Sequence, residues 1–226
     1  MPFDAILLDL DDTILDFGKA EAAAISKTFV DLGIEPTEAL LRRYSEINLS
    51  QWEAMERGEL TRERVLLRRF ELLFEELGFE TDIQACEDRY RAYLGVGHYF
   101  IEGAEELLAY LAPKYRLYIA SNGVAETQYS RLKSAAIGHY FDEIFISETT
   151  GFHKPEKGYF DYCFARIPNF DPSRTLMIGD SLTGDILGGN NAGIHTCWFN
   201  PKHKPRRADI VPTYEVHSLS ELKNFL

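Results

Sequence analysis

The sequence predicts an α/β protein in which a parallel sheet carries a helical insert. Three observations favour this class: a helical stretch follows the first strand, β-type runs then alternate with helical patterns, and polar residues stand just after several of those runs. Strands that alternate with helices form a parallel sheet through right-handed crossovers. Because ligands bind at the carboxyl ends of such strands, we expect the functional site at that edge.

The first strand is predicted at Ala5–Leu8, an apolar run near the N-terminus, and residues 17–96 then read as helices. The helices expected in this insert cover residues 17–32, a segment that opens near Pro36, a segment capped by Thr61 and ended by Gly78, and residues 82–94. Such a run of helices between the first strand and the rest of the sheet predicts a compact insert.

After residue 102 the two patterns alternate. The further strands are predicted at residues 117–120, 144–146, 176–178 and 196–199, and the intervening helices at residues 126–135, 158–166 and 185–192. Ser121 and Asp180 stand just after two of these strands, where this architecture forms its ligand crevice.

Composition and charge narrow the class of partner. The 226 residues are 45% hydrophobic and 27% charged, enough for a sizeable core in a soluble protein. The net charge of -12 argues against a nucleic-acid polymer, which needs a basic face, but allows a small anionic substrate. The three cysteines are widely spaced, and we find neither a cleavage signal nor a membrane-spanning run, so a cytoplasmic protein without a membrane partner is expected.

The carboxylates after the first strand have the spacing of a reactive pair. Asp9 and Asp11 lie at positions i and i+2 of an extended segment, so both can face one site. Two carboxylates at so short a distance repel each other, and a bound hard cation compensates this repulsion. One can then attack phosphorus while the other moves a proton. Taken alone, the motif also fits an ordinary acidic turn.

Four motifs in order decide between these readings. They are Asp9-Leu10-Asp11-Asp12-Thr13, Ser121-Asn122-Gly123, Lys154-Pro155 and Gly179-Asp180-Ser181-Leu182-Thr183-Gly184-Asp185. Their order and strand context resemble the haloacid dehalogenase (HAD) superfamily, over the whole chain. The resemblance implies a Rossmann-like core, residues 1–16 and 97–226, and a helical C1-type cap, residues 17–96.

The resemblance also implies roles for the site residues. Asp9 is similar to the nucleophile that forms an aspartyl phosphate, and Asp11 to the general acid and base. Ser121 and Asn122, with their loop, correspond to the phosphate-binding residues, together with Lys154. The dehalogenases of this superfamily lack an acid at the position of Asp11, so the resemblance favours a phosphatase.

A metal site follows from the same resemblance. Asp9, Asp180 and the carbonyl of Asp11 are expected to bind Mg²⁺, with Mn²⁺ as an alternative. Asp185 is expected at the edge of the metal site, holding a water or Lys154. We expect Asp12 and Thr13 to be structural.

A closer resemblance concerns the bacterial house-cleaning pyrimidine 5′-nucleotidases. It is carried by Asp11-Asp12-Thr13-Ile14-Leu15-Asp16-Phe17, Ser121-Asn122-Gly123-Val124, Thr127-Gln128-Tyr129, Thr150-Gly151-Phe152-His153-Lys154-Pro155, Arg166-Ile167-Pro168 and Cys197-Trp198-Phe199-Asn200-Pro201. It implies a small phosphomonoester substrate such as UMP, dUMP or dTMP. A sugar phosphomutase or another small-metabolite phosphatase of the superfamily is the alternative, and the oligomeric state stays open.

Specificity is expected to come from the cap. Asn48 and Gln51 could bond a base edge and Trp52 could stack on it, although Trp52 could equally pack between cap helices. The pair Arg68 and Arg69 is expected on a solvated or ion-paired face. We expect residues 201–207 to form a solvated basic loop, and residues 16–18 and 94–99 to act as hinges of a closing cap.

Overall fold

The computed structural model describes residues 3–226. Its strands are β1 (Ala5–Leu8), β2 (Arg116–Ser121), β3 (Glu143–Ile146), β4 (Thr175–Gly179), β5 (His195–Phe199) and β6 (Tyr214–Val216). Its α-helices are α1 (Phe17–Asp31), α2 (Glu38–Glu56), α3 (Arg62–Leu77), α4 (Ile83–Leu94), α5 (Ala104–Leu111), α6 (Ala125–Ser134), α7 (Ser147–Thr150), α8 (Lys157–Phe164) and α9 (Leu187–Asn191). Among these helices, none is both long and apolar enough to cross a membrane.

The strands of this part of the chain form one parallel sheet in the order β3-β2-β1-β4-β5-β6. The chain moves from β1 to one side through β2 and β3, and then crosses to the other side of β1 to form β4. The strand order therefore reverses beside β1, and a crevice opens at the carboxyl ends of β1 and β4.

Successive side chains of the strands enter different cores. Ile6 and Leu8 of β1 pack on one face with α5 and the C-terminal residues, whereas Ala5 and Leu7 pack on the other face with α8. Each of these β1 side chains is at most 1% exposed. A parallel sheet that is covered on both faces explains why its strands read as continuous apolar runs.

Helices α1 to α4 pack around an apolar core of their own. Ile25, Phe29, Tyr44, Phe70 and Tyr90 are fully buried in it. The helices begin at capping side chains: Asp16, Thr37, Thr61 and Asp82 each accept a bond from a backbone N–H of the first turn. The left-handed Gly78, with φ of 59°, ends α3.

The predicted fold class and each of the predicted strands are confirmed, with several differences of detail, among them α5 and α7, which were not predicted. β6 was not predicted, because a three-residue edge strand leaves almost no periodic signal. The helix expected at residues 185–192 instead begins as a π-helical turn, residues 182–186, before α9. α2 begins at Glu38 rather than near Pro36, because Thr37 is its N-cap.

Candidate active site

A cavity of about 630 Å³ lies between the helical insert and the carboxyl edge of the sheet. Asp9, Asp11, Ser121, Lys154 and Asp180 line its sheet end. Asp9 follows β1, Ser121 ends β2, and Asp180 follows β4, so the parallel topology brings residues from distant parts of the sequence to one edge.

Lys154 is the centre of the charged cluster. Its Nζ atom donates to Asp9 Oδ1 at 2.7 Å, to Asp185 Oδ1 at 2.7 Å and to the Ala120 carbonyl at 2.6 Å. Asp185 Oδ2 in turn accepts from the Ser181 backbone at 3.0 Å. These bonds satisfy the ammonium group, whose side chain is only 3% exposed, and hold it against the Asp9 carboxylate.

Negative charge exceeds positive charge in this cluster. Oxygen atoms of Asp9, Asp180 and Asp185 lie within 4.8 Å of one another. Burial raises the pKa of Asp9 well above its usual value, and the neighbouring carboxylates raise it further against the opposing effect of Lys154. Burial also raises the pKa of Asp180 to about 7. A divalent cation with oxygen ligands fits this donor set, because it would compensate the buried charge.

Asp11 is held by two side chains of α6: Gln128, which belongs to a motif of the nucleotidase resemblance but was given no role, and Arg131, which no sequence pattern singled out. Its Oδ1 atom pairs with Arg131 Nη1, and its Oδ2 atom accepts from Gln128 Nε2 at 2.7 Å. Asp12 instead accepts from the Phe17 backbone at 2.9 Å, which is a structural contact at the start of α1.

Ser121 and Asn122 make different contacts. Ser121 Oγ accepts from Gly123 N at 3.1 Å and from Gln128 Nε2 at 2.7 Å, which leaves its proton free to donate into the cavity. Asn122 exchanges two bonds of 2.9 Å with the backbone of Lys154. The Asn122 side chain therefore positions Lys154, and a role of the Asn122 loop in binding phosphate stays a prediction.

The cap end of the cavity is a buried polar network. Arg69 donates to Asn48 Oδ1 at 2.9 Å and to Glu87 Oε2 at 2.6 Å, and the Asn48 amide donates to Glu21 Oε1 at 2.6 Å. The guanidinium group also stacks over the Tyr90 ring, 4.7 Å from its centroid. Arg69 is ion-paired with Glu87, as burial at this depth requires, and Asn48 links this pair to the Glu21 carboxylate.

Expectations for individual cap residues had mixed outcomes. Asn48 and Trp52 line the cavity, but Gln51 is outside the cavity wall and bonds Ser50. Of the two alternatives expected for Arg69, the structure has the ion-paired one: Arg69 pairs with Glu87, but inside the cap and only 3% exposed. No sequence pattern distinguishes it from its neighbour Arg68, because burial here depends on how α3 packs.

Two contacts from other parts of the chain reach the loop that follows β4. Glu56, the last residue of α2, accepts bonds from the hydroxyl groups of Ser181 and Thr183, which follow β4. From the loop of residues 201–207, expected to be solvated only, Lys204 reaches Asp180 Oδ2 at 3.4 Å. Both contacts join residues far apart in the sequence, so no local motif could reveal them.

A buried carboxylate bonded to a lysine, in a cavity between a helical insert and the carboxyl edge of a parallel sheet, suits the active site of a hydrolase. A model of the haloacid dehalogenase-like hydrolase family matches residues 3–193. The chain therefore belongs to the haloacid dehalogenase-like hydrolases and is an enzyme, which confirms the resemblance that the motifs indicated.

The chain is similar to several bacterial proteins along its whole length. It is 47% identical to the HAD-hydrolase YfnB of Bacillus subtilis, over 99% of this chain and 95% of that protein. It is 37% identical to the pyrimidine 5′-nucleotidase PynA of Streptococcus pneumoniae, over 100% and 96% of the two chains, and 33% identical to the pyrimidine 5′-nucleotidase YjjG of Escherichia coli, over 100% and 99%. A crystal structure of YfnB bound to magnesium superimposes with a TM-score of 0.96, at 46% identity, and covers 100% of this chain and 99% of YfnB.

Proposed function

We propose that this enzyme is a Mg²⁺-dependent phosphomonoesterase that hydrolyses pyrimidine nucleoside 5′-monophosphates such as UMP, dUMP and dTMP. The observation that carries the proposal is the buried Asp9 carboxylate, bonded to Lys154 at the floor of a cavity that Asp11 also lines. A nucleophile, a fixed cation and a second carboxylate at one place suit transfer of a phosphoryl group.

The proposed reaction has two steps, formation of an aspartyl phosphate and its hydrolysis. An Asp9 oxygen attacks phosphorus, the bond from phosphorus to the ester oxygen breaks, and Asp11 gives its proton to that oxygen. The products are the free nucleoside and an aspartyl phosphate. Water then attacks this phosphorus atom, Asp11 takes the proton, and inorganic phosphate leaves Asp9 free again. Lys154 and the Ser121 hydroxyl stabilise the phosphoryl oxygens in both steps.

Asp9 and Asp180, with the carbonyl of Asp11, would hold the Mg²⁺ ion, and Asp185 would lie at the edge of that site. When bound, the cation neutralises charge on the phosphoryl group and lets the anionic nucleophile approach it. The excess of buried carboxylates supports this site, and so does the magnesium bound to the relative YfnB.

The volume of the cavity and the similarity to two nucleotidases both favour a pyrimidine nucleotide as the substrate. The cavity of about 630 Å³ falls within the range of small-molecule sites, roughly 300–1,000 Å³. It extends from Asp9 to the polar network of the cap, so a phosphate at one end leaves room for a base at the other. PynA and YjjG, which match over their full lengths, are both named as pyrimidine 5′-nucleotidases.

The Asn48 amide supports a uracil or thymine base in particular. A guanidinium group can only donate, so Asn48 Oδ1 must face Arg69, and the amide nitrogen faces Glu21. One lone pair and one N–H then remain. Uracil and thymine present an N–H beside a carbonyl, which matches this pair, whereas cytosine presents the reverse order. Trp52, which also lines the cavity, would stack on the base.

Residues 17–96 serve, in this proposal, as a cap that moves over the core formed by residues 1–16 and 97–226. The two linkers run side by side, with Asp16 N donating to Tyr99 O at 2.7 Å, so they can bend together as one hinge. The YfnB crystal structure is described as revealing interdomain movement, which supports a mobile cap.

The test is release of inorganic phosphate from a panel of nucleoside monophosphates and sugar phosphates, with excess Mg²⁺ or excess chelator. UMP, dUMP and dTMP are expected to be the best substrates, and chelator to abolish turnover. Asp9→Asn should retain the fold and lose activity by many orders of magnitude. Preference for sugar phosphates, or an isomerised product without phosphate release, would contradict the nucleotidase.

A further inference from the structure

Arg131 of α6 joins the active site to both linkers of the helical insert. Its side chain is fully buried and pairs through Nη1 with Asp11 Oδ1. Its Nε atom donates to the Gly97 carbonyl, in the second linker, at 3.0 Å. Its guanidinium carbon lies 5.8 Å from the ring centroid of Phe17, which follows the first linker. One buried cation thus contacts the acid/base candidate and the two connections to the cap.

Gln128 completes the hold on Asp11 from the preceding turn of α6. The side chain is 1% exposed, and its Nε2 atom donates to Asp11 Oδ2 and to Ser121 Oγ, both at 2.7 Å. Gly123 leaves the space for it, because a Cβ atom there would lie 2.6 Å from the Gln128 amide. Both Asp11 oxygens are therefore oriented by the same helix.

The bond to Gly97 makes this arrangement sensitive to the cap. Gly97 packs directly on α1, since a Cβ atom at this position would come within 2.9 Å of Ala20 Cβ. A shift of α1 relative to the core therefore shifts the Gly97 carbonyl. Because the Arg131 side chain is fully buried, it cannot keep its bond to a displaced Gly97 carbonyl and also keep its position against Asp11.

We propose that Arg131 is a positioning residue that couples the orientation of the Asp11 carboxylate to the position of the cap. The proposal rests on the acid/base role proposed for Asp11. Asp11 is aligned with the ester oxygen when the Gly97 carbonyl accepts the bond from Arg131, as in the closed cap. It loses that alignment when the cap opens. Protonation of the leaving group is then restricted to the closed enzyme.

The dependence of kcat/KM on the leaving group tests this role. kcat/KM reports the steps up to the first phosphoryl transfer, in which a nitrophenolate needs no protonation but an alkoxide does. Arg131→Met should lower kcat/KM about 100-fold for alkyl phosphates and nucleotides, through kcat, and less than about threefold for p-nitrophenyl phosphate. Gln128→Met, which also removes the bond to Ser121, should lower kcat/KM for every ester but more strongly for alkyl phosphates and nucleotides. Arg131→Lys, which keeps the charge, should restore part of the loss.

Two further variants separate coupling from simple support of the fold. Gly97→Ala displaces the linker without touching the cavity, and it should show the same leaving-group pattern in weaker form. Lys133→Met, an exposed change on the same helix, should leave kcat/KM unchanged for every ester.

Equal losses on all esters, or no loss, would overturn the role of Arg131. If Arg131→Met does not fold, Gln128→Met, Arg131→Lys and Gly97→Ala decide the question. Asp11→Asn is measured in the same series: a uniform loss there would overturn the acid role itself. A steep leaving-group dependence for Asp11→Asn together with a flat one for the Arg131 and Gln128 variants would overturn the coupling alone.

Discussion

Asn48 shows how a single buried residue acquires a fixed chemical direction. A free amide can turn over and present either group to a ligand, but Arg69 and Glu21 leave this amide one orientation. Glu87 in turn holds Arg69, at 2.6 Å, so the orientation depends on a network and not on one contact. Charged neighbours of this kind fix which hydrogen-bonding groups a neutral amide presents to a ligand.

We expect Asn48→Ala to lower kcat/KM for UMP by about ten- to a hundredfold, because a pair of hydrogen bonds to a base edge is worth roughly 1–3 kcal/mol of discrimination. The preference for UMP over CMP should fall with it, while hydrolysis of p-nitrophenyl phosphate stays within about threefold of wild type. Steady-state kinetics on the three esters measure this.

Gln51→Ala is the matched control, since it removes an amide of the same helix that is outside the cavity wall. It should leave the ratio of UMP to CMP unchanged. A loss of equal size on UMP and CMP in Asn48→Ala would show that Asn48 supports the cap without reading the base.

At the level of elements, α2 runs from the proposed base site to the loop after β4. Asn48 and Trp52 line the cavity from this helix, and Glu56 at its end contacts the loop after β4. Burial raises the pKa of Glu56 above its usual value, so the contact is made by a carboxylate whose charge is costly there. We therefore expect this contact to contribute to cap closure and little to the stability of the fold.

We expect Glu56→Ala to favour the open cap, because it removes the bonds to Ser181 and Thr183. The expected results are faster protease cleavage in residues 16–18 and 94–99 and a KM about tenfold higher, with a thermal midpoint close to wild type. Limited proteolysis, with and without vanadate, and calorimetry measure these changes. The exposed Glu46→Ala on the same helix is the control, and unchanged proteolysis in Glu56→Ala would contradict a role in closure.

For the whole molecule, the carboxyl edge of the sheet gathers more negative charge than Lys154 compensates. The pKa of Asp180 is raised by burial to about 7, against about 4 for an unfolded aspartate. A raised carboxyl pKa means that the folded state binds the proton more tightly. The contribution of the protonated Asp180 to the stability of the fold is complete below about pH 4 and is lost as the pH rises through about 7.

Magnesium should therefore stabilise the protein more at pH 8 than at pH 6, because it binds the deprotonated carboxylates and replaces the lost protons. The shift of the thermal midpoint on addition of Mg²⁺, measured at both pH values, checks this. Asp180→Asn should reduce the shift and its pH dependence. Equal shifts at both pH values would contradict a metal site that includes Asp180.

Local sequence determined much of this protein. The apolar runs, the caps such as Thr61, and the carboxylates after β1 each depend on neighbours within a few residues, so fold class, family and the residues at the sheet end of the cavity could be read from the chain. The roles of Asp9, Asp11 and Lys154 stay predictions, although the structure brings these residues together.

Tertiary structure alone decided the contacts between distant segments. Arg131 and Gln128 reach Asp11 across 120 and 117 residues, Glu56 reaches Thr183 across 127, and Arg69 becomes buried because α3 faces α2 and α4. No periodic pattern encodes such pairs, since each depends on how packed elements meet in space. The residues at the sheet end of the cavity therefore followed from sequence, whereas the orientation of Asp11 and the shape of the cap end of the cavity followed from packing.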